Sequence, residues 1–140
     1  MGKRPKILCV DDQAANLQVR ALMLQQFGCD TVCAHNHDSA MRAVAENKVD
    51  LLVIDYHLAD GETGDMIARE ARQLRPDVRL IMLTGDAKVP EEVGDSVDAV
   101  IIKGASNPTD LLDMIERLLP ECTLRPRHPM LVKEPKRKAL

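Results

Sequence analysis

Five side chains able to do chemistry stand in this 140-residue chain where short apolar runs stop. Lys6–Val10 stops on Asp11 and Asp12, Leu51–Ile54 on Asp55, Val78–Leu83 on Thr84, and Ala99–Ile102 on Lys103. Three carboxylates make a hard, oxygen-rich donor set suited to Mg²⁺, which commonly keeps waters and a phosphate partner. A hydroxyl and an ammonium beside them can hold phosphoryl oxygens, and phosphoryl transfer needs little more than positioning and charge neutralisation. Any one of these residues alone is an ordinary loop-starting side chain. Their recurrence at four run ends is what points to a site.

For these residues to meet, the runs must lie side by side in one direction. Leu51–Ile54 is continuously apolar, as suits a strand buried on both faces of a parallel sheet. Between the runs, apolar residues fall at helical spacing. Leu17, Ala21, Leu24 and Phe27 mark a helix over Gln13–Phe27, with Gly28 as its C-terminal cap. After a weaker strand at Asp30–Ala34, Asn36 or Asp38 caps a helix through Glu46, with Ala40, Met41, Val44 and Ala45 inward. Thr63–Leu74 is a third helix, with Ile67, Ala71 and Leu74 on one face and Pro76 stopping it. A short, weakly held helix starts at Pro90, and Asn107-Pro108-Thr109-Asp110 opens a last one striped by Leu111, Leu112, Ile115, Leu118 and Leu119. The alternation of strand and helix, five times over, predicts a doubly wound five-stranded parallel α/β sheet with helices on both faces. All strand C-termini then share one edge, where open α/β sheets bind ligands.

Composition narrows the class. At this length one domain with a real core is expected, and 45% hydrophobic with 29% charged residues is ordinary for a globular protein. Phe27 and Tyr56 are the only aromatics, so the core must be aliphatic and a base-stacking nucleic-acid reader is disfavoured. The net charge of −3 is uneven: residues 120–140 carry +4, which leaves −7 on the first 119. Residues 1–119 read as the domain and 120–140 as a basic, Pro-containing tail, extended or disordered and solvating rather than nucleic-acid binding. Its apolar triplet Met130-Leu131-Val132 offers an anchor for a partner. No run approaches the roughly 18 apolar residues of a membrane helix, and the start lacks a secretory signal, so the cytoplasm is expected. Cys29 and Cys33, four apart in one extended strand, would lie roughly 13 Å apart, beyond disulfide reach. With Cys9 and Cys122 they read as buried, reduced thiols.

The pieces Ile-Leu-Cys-Val-Asp-Asp, Leu-Leu-Val-Ile-Asp-Tyr-His-Leu, Ile-Met-Leu-Thr-Gly and Ile-Ile-Lys resemble the receiver domain of two-component response regulators, from about Lys6 to Leu119. The resemblance implies a (βα)5 flavodoxin-like fold. It also implies that Asp55 accepts a phosphoryl group from a histidine kinase or phosphotransfer protein. Asp11, Asp12, Asp55 and the backbone carbonyl of His57 would hold Mg²⁺, Thr84 and Lys103 would contact the phosphoryl group, and His57 and Asp86 would tune its loss. Such a domain is a phosphoacceptor rather than an enzyme. Without a helix-turn-helix or catalytic module in the chain, output by contact with a partner protein, a second copy of the chain in a homodimer among the candidates, is expected; a phosphate sink without output is the alternative. Three places depart from the family pattern: Ala59 and Gly104 stand where proline is usual, and Val100 where a switching aromatic is usual. A haloacid-dehalogenase-type phosphatase would also use Asp55 as nucleophile, but it wants an acid at position 57, which is His57. A flavodoxin-like cofactor binder would want a Gly/Ser/Thr-rich phosphate loop after the first strand, which is absent.

Overall fold

The computed structural model describes residues 4–85, 90–104 and 107–124. Strands β1 (Lys6–Val10), β2 (Asp30–Ala34), β3 (Leu51–Asp55), β4 (Arg79–Thr84) and β5 (Ala99–Ile102) form one sheet in the order β2-β1-β3-β4-β5. Every pairing is parallel, as expected. Helices α1 (Ala14–Gln26), α2 (His37–Glu46), α3 (Gly64–Leu74), α4 (Glu91–Asp95) and α5 (Pro108–Leu118) connect and follow the strands.

Alternation along each strand sorts the core into two layers. Leu8, Val10, Leu52, Ile54, Leu80 and Met82 pack with α2, α3 and Val93 of α4. Ile7, Cys9, Leu51, Val53, Ile81 and Leu83 pack with α1 and α5. Central β3 is buried at all five positions, so its side chains have no freedom to turn and Asp55 leaves the sheet in a fixed direction.

Local signals set the helix ends. Gly28 follows α1 at φ 91°, a left-handed conformation that glycine adopts without a Cβ penalty. Asn36 rather than Asp38 caps α2, accepting from the Ser39 N–H at 2.8 Å while Ser39 Oγ accepts in return from the Asn36 N–H.

Four side chains sit differently from expectation. In α2, Ala43 is buried and Ala45 exposed, because the inward stripe runs Ala40, Ala43, Val44 and Ala45 lies a further 100° round the helix. Leu74 is 52% exposed: it is the last residue of α3, beside an open cavity at the sheet's N-terminal edge. Cys33 is exposed because β2 is an edge strand, whereas Cys9, Cys29 and Cys122 are buried. Burial pushes the Cys9 thiol up to about 12 and the Cys29 thiol to about 11, so both stay protonated and inert. The chain does not leave the core at Pro120: Cys122 is buried, Leu124 packs on the α1/α5 layer, and the Leu124 N–H donates to Glu116 Oε2 at 2.8 Å. Residues 125–140, most of the expected tail, lie outside the described residues.

One ion pair ties α2 to α3. His37 Nε2 lies 2.8 Å from Glu70 Oε2, with Asp38 3.5 Å from the other ring nitrogen and Glu62 nearby on the β3–α3 loop. The Glu70 hydrogen bond, outweighing partial burial, raises His37 above its ordinary value of 6.5. The folded protein thus holds this proton more tightly than the unfolded chain does. The contribution is complete below about pH 6.5 and is lost as pH rises through the raised value. Glu70 is half exposed, so the effect should be small, about 0.5 kcal/mol. Urea melts between pH 5.5 and 8.5 should show this loss in the wild type and its absence in Glu70→Gln; equal pH slopes would refute it.

Candidate functional site

The parallel ladder carries the functional side chains to one edge and fixes them there. The Asp11 N–H donates to Ala34 O at 3.2 Å, the Tyr56 N–H to Leu83 O at 2.8 Å, and the Lys103 N–H to Thr84 O at 2.7 Å. Asp55 ends β3 opposite Leu83, and Thr84 ends β4 opposite Ile102. Through this register Asp11, Asp12 and Asp55 bring one carboxylate oxygen each within 4.8 Å of one another. Lys103 Nζ lies 3.0 Å from Asp55 Oδ1. Thr84, fully buried, stands on the strand next to Asp55.

Asp55 is 6% exposed, and this burial pushes its carboxyl above the ordinary value of 3.8. Lys103 opposes the shift by hydrogen bond and charge; Asp11 adds to it and Arg20 subtracts. Three like charges this close repel unless a cation sits among them. Asp11 supplies the sharpest indication of one. Its Oδ1 accepts the Gln13 N–H at 3.0 Å, but its fully buried Oδ2 has no hydrogen-bond partner. A buried carboxylate oxygen with no hydrogen bond, and only an arginine nitrogen 3.5 Å away, is costly; in a set of three hard donors it fits a divalent cation such as Mg²⁺.

The remaining expected site residues are placed unevenly. His57 is exposed two residues past Asp55, its ring edge-on to Tyr56 with centroids 4.7 Å apart. Asp86 lies outside the described residues. Ala59 opens a single 3-10 turn, Ala59–Gly61, before α3. Gly104 has φ 82°, so a proline, locked near −65°, could not occupy this loop as it stands. No cis peptide occurs among the described residues, so Lys103–Gly104 is trans. Val100 packs, partly buried, against the α2/α3 layer.

Two residues of the site escape a reading of motifs. Arg20, on α1, places Nη1 3.5 Å from Asp11 Oδ2 with its side chain only 13% exposed. The available signal was a lone basic residue beside the apolar stripe Leu17, Ala21, Leu24. Gly64 opens α3 hard against the end of β3, its N–H donating to Tyr56 O at 2.8 Å. A lone glycine nine residues after Asp55 carries no comparable signal in sequence.

Comparison with known proteins places this fold in one family. The transcriptional regulatory protein AruR of Pseudomonas aeruginosa is 31% identical across 100% of this chain, which spans 58% of AruR's own length. A CheY-like response regulator receiver domain protein of Methanospirillum hungatei is 30% identical, with a TM-score of 0.75 over 85% of this chain and 97% of that one. The response regulator TrrA of Thermotoga maritima, solved with Mg²⁺-BeF, shares the fold at 24% identity and a TM-score of 0.73, covering 81% of this chain and 98% of that one. The family model of the response regulator receiver domain matches residues 7–116, and the chain belongs to that family.

Proposed function

We propose that this chain receives a phosphoryl group on Asp55 from a phosphohistidine of a histidine kinase or phosphotransfer protein and signals by protein contact. The observation that carries the reading is the meeting of three carboxylates within 4.8 Å with an ammonium 3.0 Å from Asp55. A carboxylate oxygen of Asp55 forms the bond to phosphorus as the phosphorus–nitrogen bond of the donor breaks. The departing imidazole nitrogen keeps the electron pair and is protonated from solvent. Lys103, already at the nucleophile, stabilises the charge gathered on the phosphoryl oxygens, and the Thr84 hydroxyl contacts one of them. Asp11, Asp12, Asp55 and the His57 carbonyl would hold Mg²⁺, which when bound neutralises negative charge on the transferring group. Water attacking phosphorus later breaks the bond to Asp55, releasing inorganic phosphate and restoring the carboxylate; the family resemblance assigns the tuning of that rate to positions 57 and 86, His57 and Asp86. TrrA, of the same fold, is solved with Mg²⁺-BeF, which supports a Mg²⁺ site on a fold of this kind.

For the relay, α4 is the element we assign to movement. It has five residues and buries only Val93, and mobile elements come from the least stable parts of a fold. The partly buried Val100 has no ring to swing, so no aromatic rotamer can report the phosphoryl group.

The test is direct. Acetyl phosphate with Mg²⁺ should add one phosphoryl group to the wild type by intact-mass measurement, and none to Asp55→Asn. Equal labelling of the two proteins would remove Asp55 from its role.

A further inference from the structure

Arg20 is a nearly buried positive charge on α1 that faces the acidic edge without touching Asp55. The cavity of about 360 Å³ beside it is lined mostly by apolar side chains, Met23, Leu83, Ile101 and Leu111 among them, together with two asparagines and Lys103. Arg20 Nη1 is buried and makes no hydrogen bond, and its ion pair is a long one, so this nitrogen repays little of its desolvation. What it faces is the equally unpartnered Asp11 Oδ2, 3.5 Å away. The two orphaned atoms look at each other, at a distance longer than a charge-assisted hydrogen bond. The other oxygen of Asp11 is fixed by the Gln13 N–H, so Asp11 does not depend on Arg20 for its orientation.

We propose that Arg20 is a built-in counter-charge that competes with the divalent cation for Asp11 and thereby sets the cation concentration at which the site loads. The inference rests on the reading that Asp11, Asp12 and Asp55 hold Mg²⁺. Without metal, Arg20 and Lys103 place two positive charges against three carboxylates, which lets the acidic residues stay packed together. With metal, Arg20 becomes a like charge beside a dication in a partly desolvated place, where screening is weak. It therefore makes loading harder, and its removal makes loading easier. Arg20 is a positioning residue in this role: it touches a ligand of the metal rather than the phosphoryl group.

Calorimetric titration of the full chain with MgCl2 at fixed ionic strength separates the possibilities. Arg20→Met and Arg20→Gln should bind Mg²⁺ about fivefold to tenfold tighter than the wild type, while Arg20→Lys, which keeps the charge, should stay near the wild-type value. The melting temperature of Arg20→Met should also rise more than that of the wild type on adding Mg²⁺. The binding heat should vanish in Asp12→Asn, which locates it at this site. Wild-type binding with unchanged affinity in both neutral variants would overturn the role of Arg20 and leave the metal reading standing. Absence of Mg²⁺ binding in wild type and variants alike would overturn both.

Discussion

Gly64→Ala should lower the stability of this protein by about 3 kcal/mol. A Cβ at this position would lie 2.5 Å from the backbone oxygen of Asp55, 2.8 Å from Ile54 Cγ2 and 3.0 Å from Met82 Sδ. The first is main chain at the end of a fully buried strand, and the others belong to buried side chains of the α2/α3 layer. Only the Met82 side chain is flexible, and it is fully buried; the Asp55 oxygen and the Ile54 methyl cannot move aside. Relief requires α3 to lift from β3, breaking the Gly64 N–H bond to Tyr56 O, or the end of β3 to shift, which displaces Asp55 itself. The melting temperature should fall by roughly 10–15 °C. Gly94→Ala is the control: nothing lies within 4 Å of its added Cβ, and alanine's better helix propensity should leave stability unchanged or raised by about 0.5 kcal/mol in α4. Similar melting curves for Gly64→Ala and the wild type would mean that the contact between α3 and the phosphoacceptor strand is not tight.

That contact marks the limit of what the chain shows without coordinates. Strand positions were legible because a strand buried on both faces must be apolar throughout, and the chain changes chemistry abruptly where it leaves the sheet, at Asp11, Asp55, Thr84 and Lys103. The order of elements then left few topologies, and parallel pairing brought those ends to one edge. Helical faces were legible to within one position. Ala43 and Ala45 are the same residue type, so nothing in composition says which of them meets the sheet. Leu74 continues the periodicity of α3 past the point where it is buried, and period alone does not see where a layer stops. Cys33 follows the same logic, since apolar character cannot reveal that its strand lies at the sheet's edge. Gly64 and Arg20 were hidden for another reason. Gly64 acts through close approaches to Asp55, Ile54 and Met82 and Arg20 through one to Asp11, and such approaches leave no periodic pattern to read.

Asp55→Asn should make the metal-free protein more stable at neutral pH, by about 1 kcal/mol, even as it abolishes phosphorylation. The cause is the environment that makes Asp55 useful. Burial and the neighbouring Asp11 disfavour its charge, and Lys103 and Arg20 do not fully compensate, so the carboxyl is held above its ordinary 3.8. The folded state therefore binds this proton more tightly than the unfolded chain. The penalty is absent below pH 3.8, grows as pH rises through the raised value, and is complete above it. Asparagine keeps the shape and still offers Lys103 an oxygen, and Lys103, 37% exposed, can otherwise turn its ammonium to water. Denaturation in EDTA should place Asp55→Asn above the wild type at pH 7, with the difference shrinking as pH falls. Adding Mg²⁺ should then reverse the order. Binding to the folded state stabilises by about 2.7 kcal/mol at a hundredfold excess over Kd, and the wild type, with three acidic ligands against two, takes the larger share. Greater stability of the wild type in EDTA would show that Lys103 and Arg20 already neutralise the site. The acidic edge would then be relaxed without a cation, and metal binding would have no repulsion to relieve.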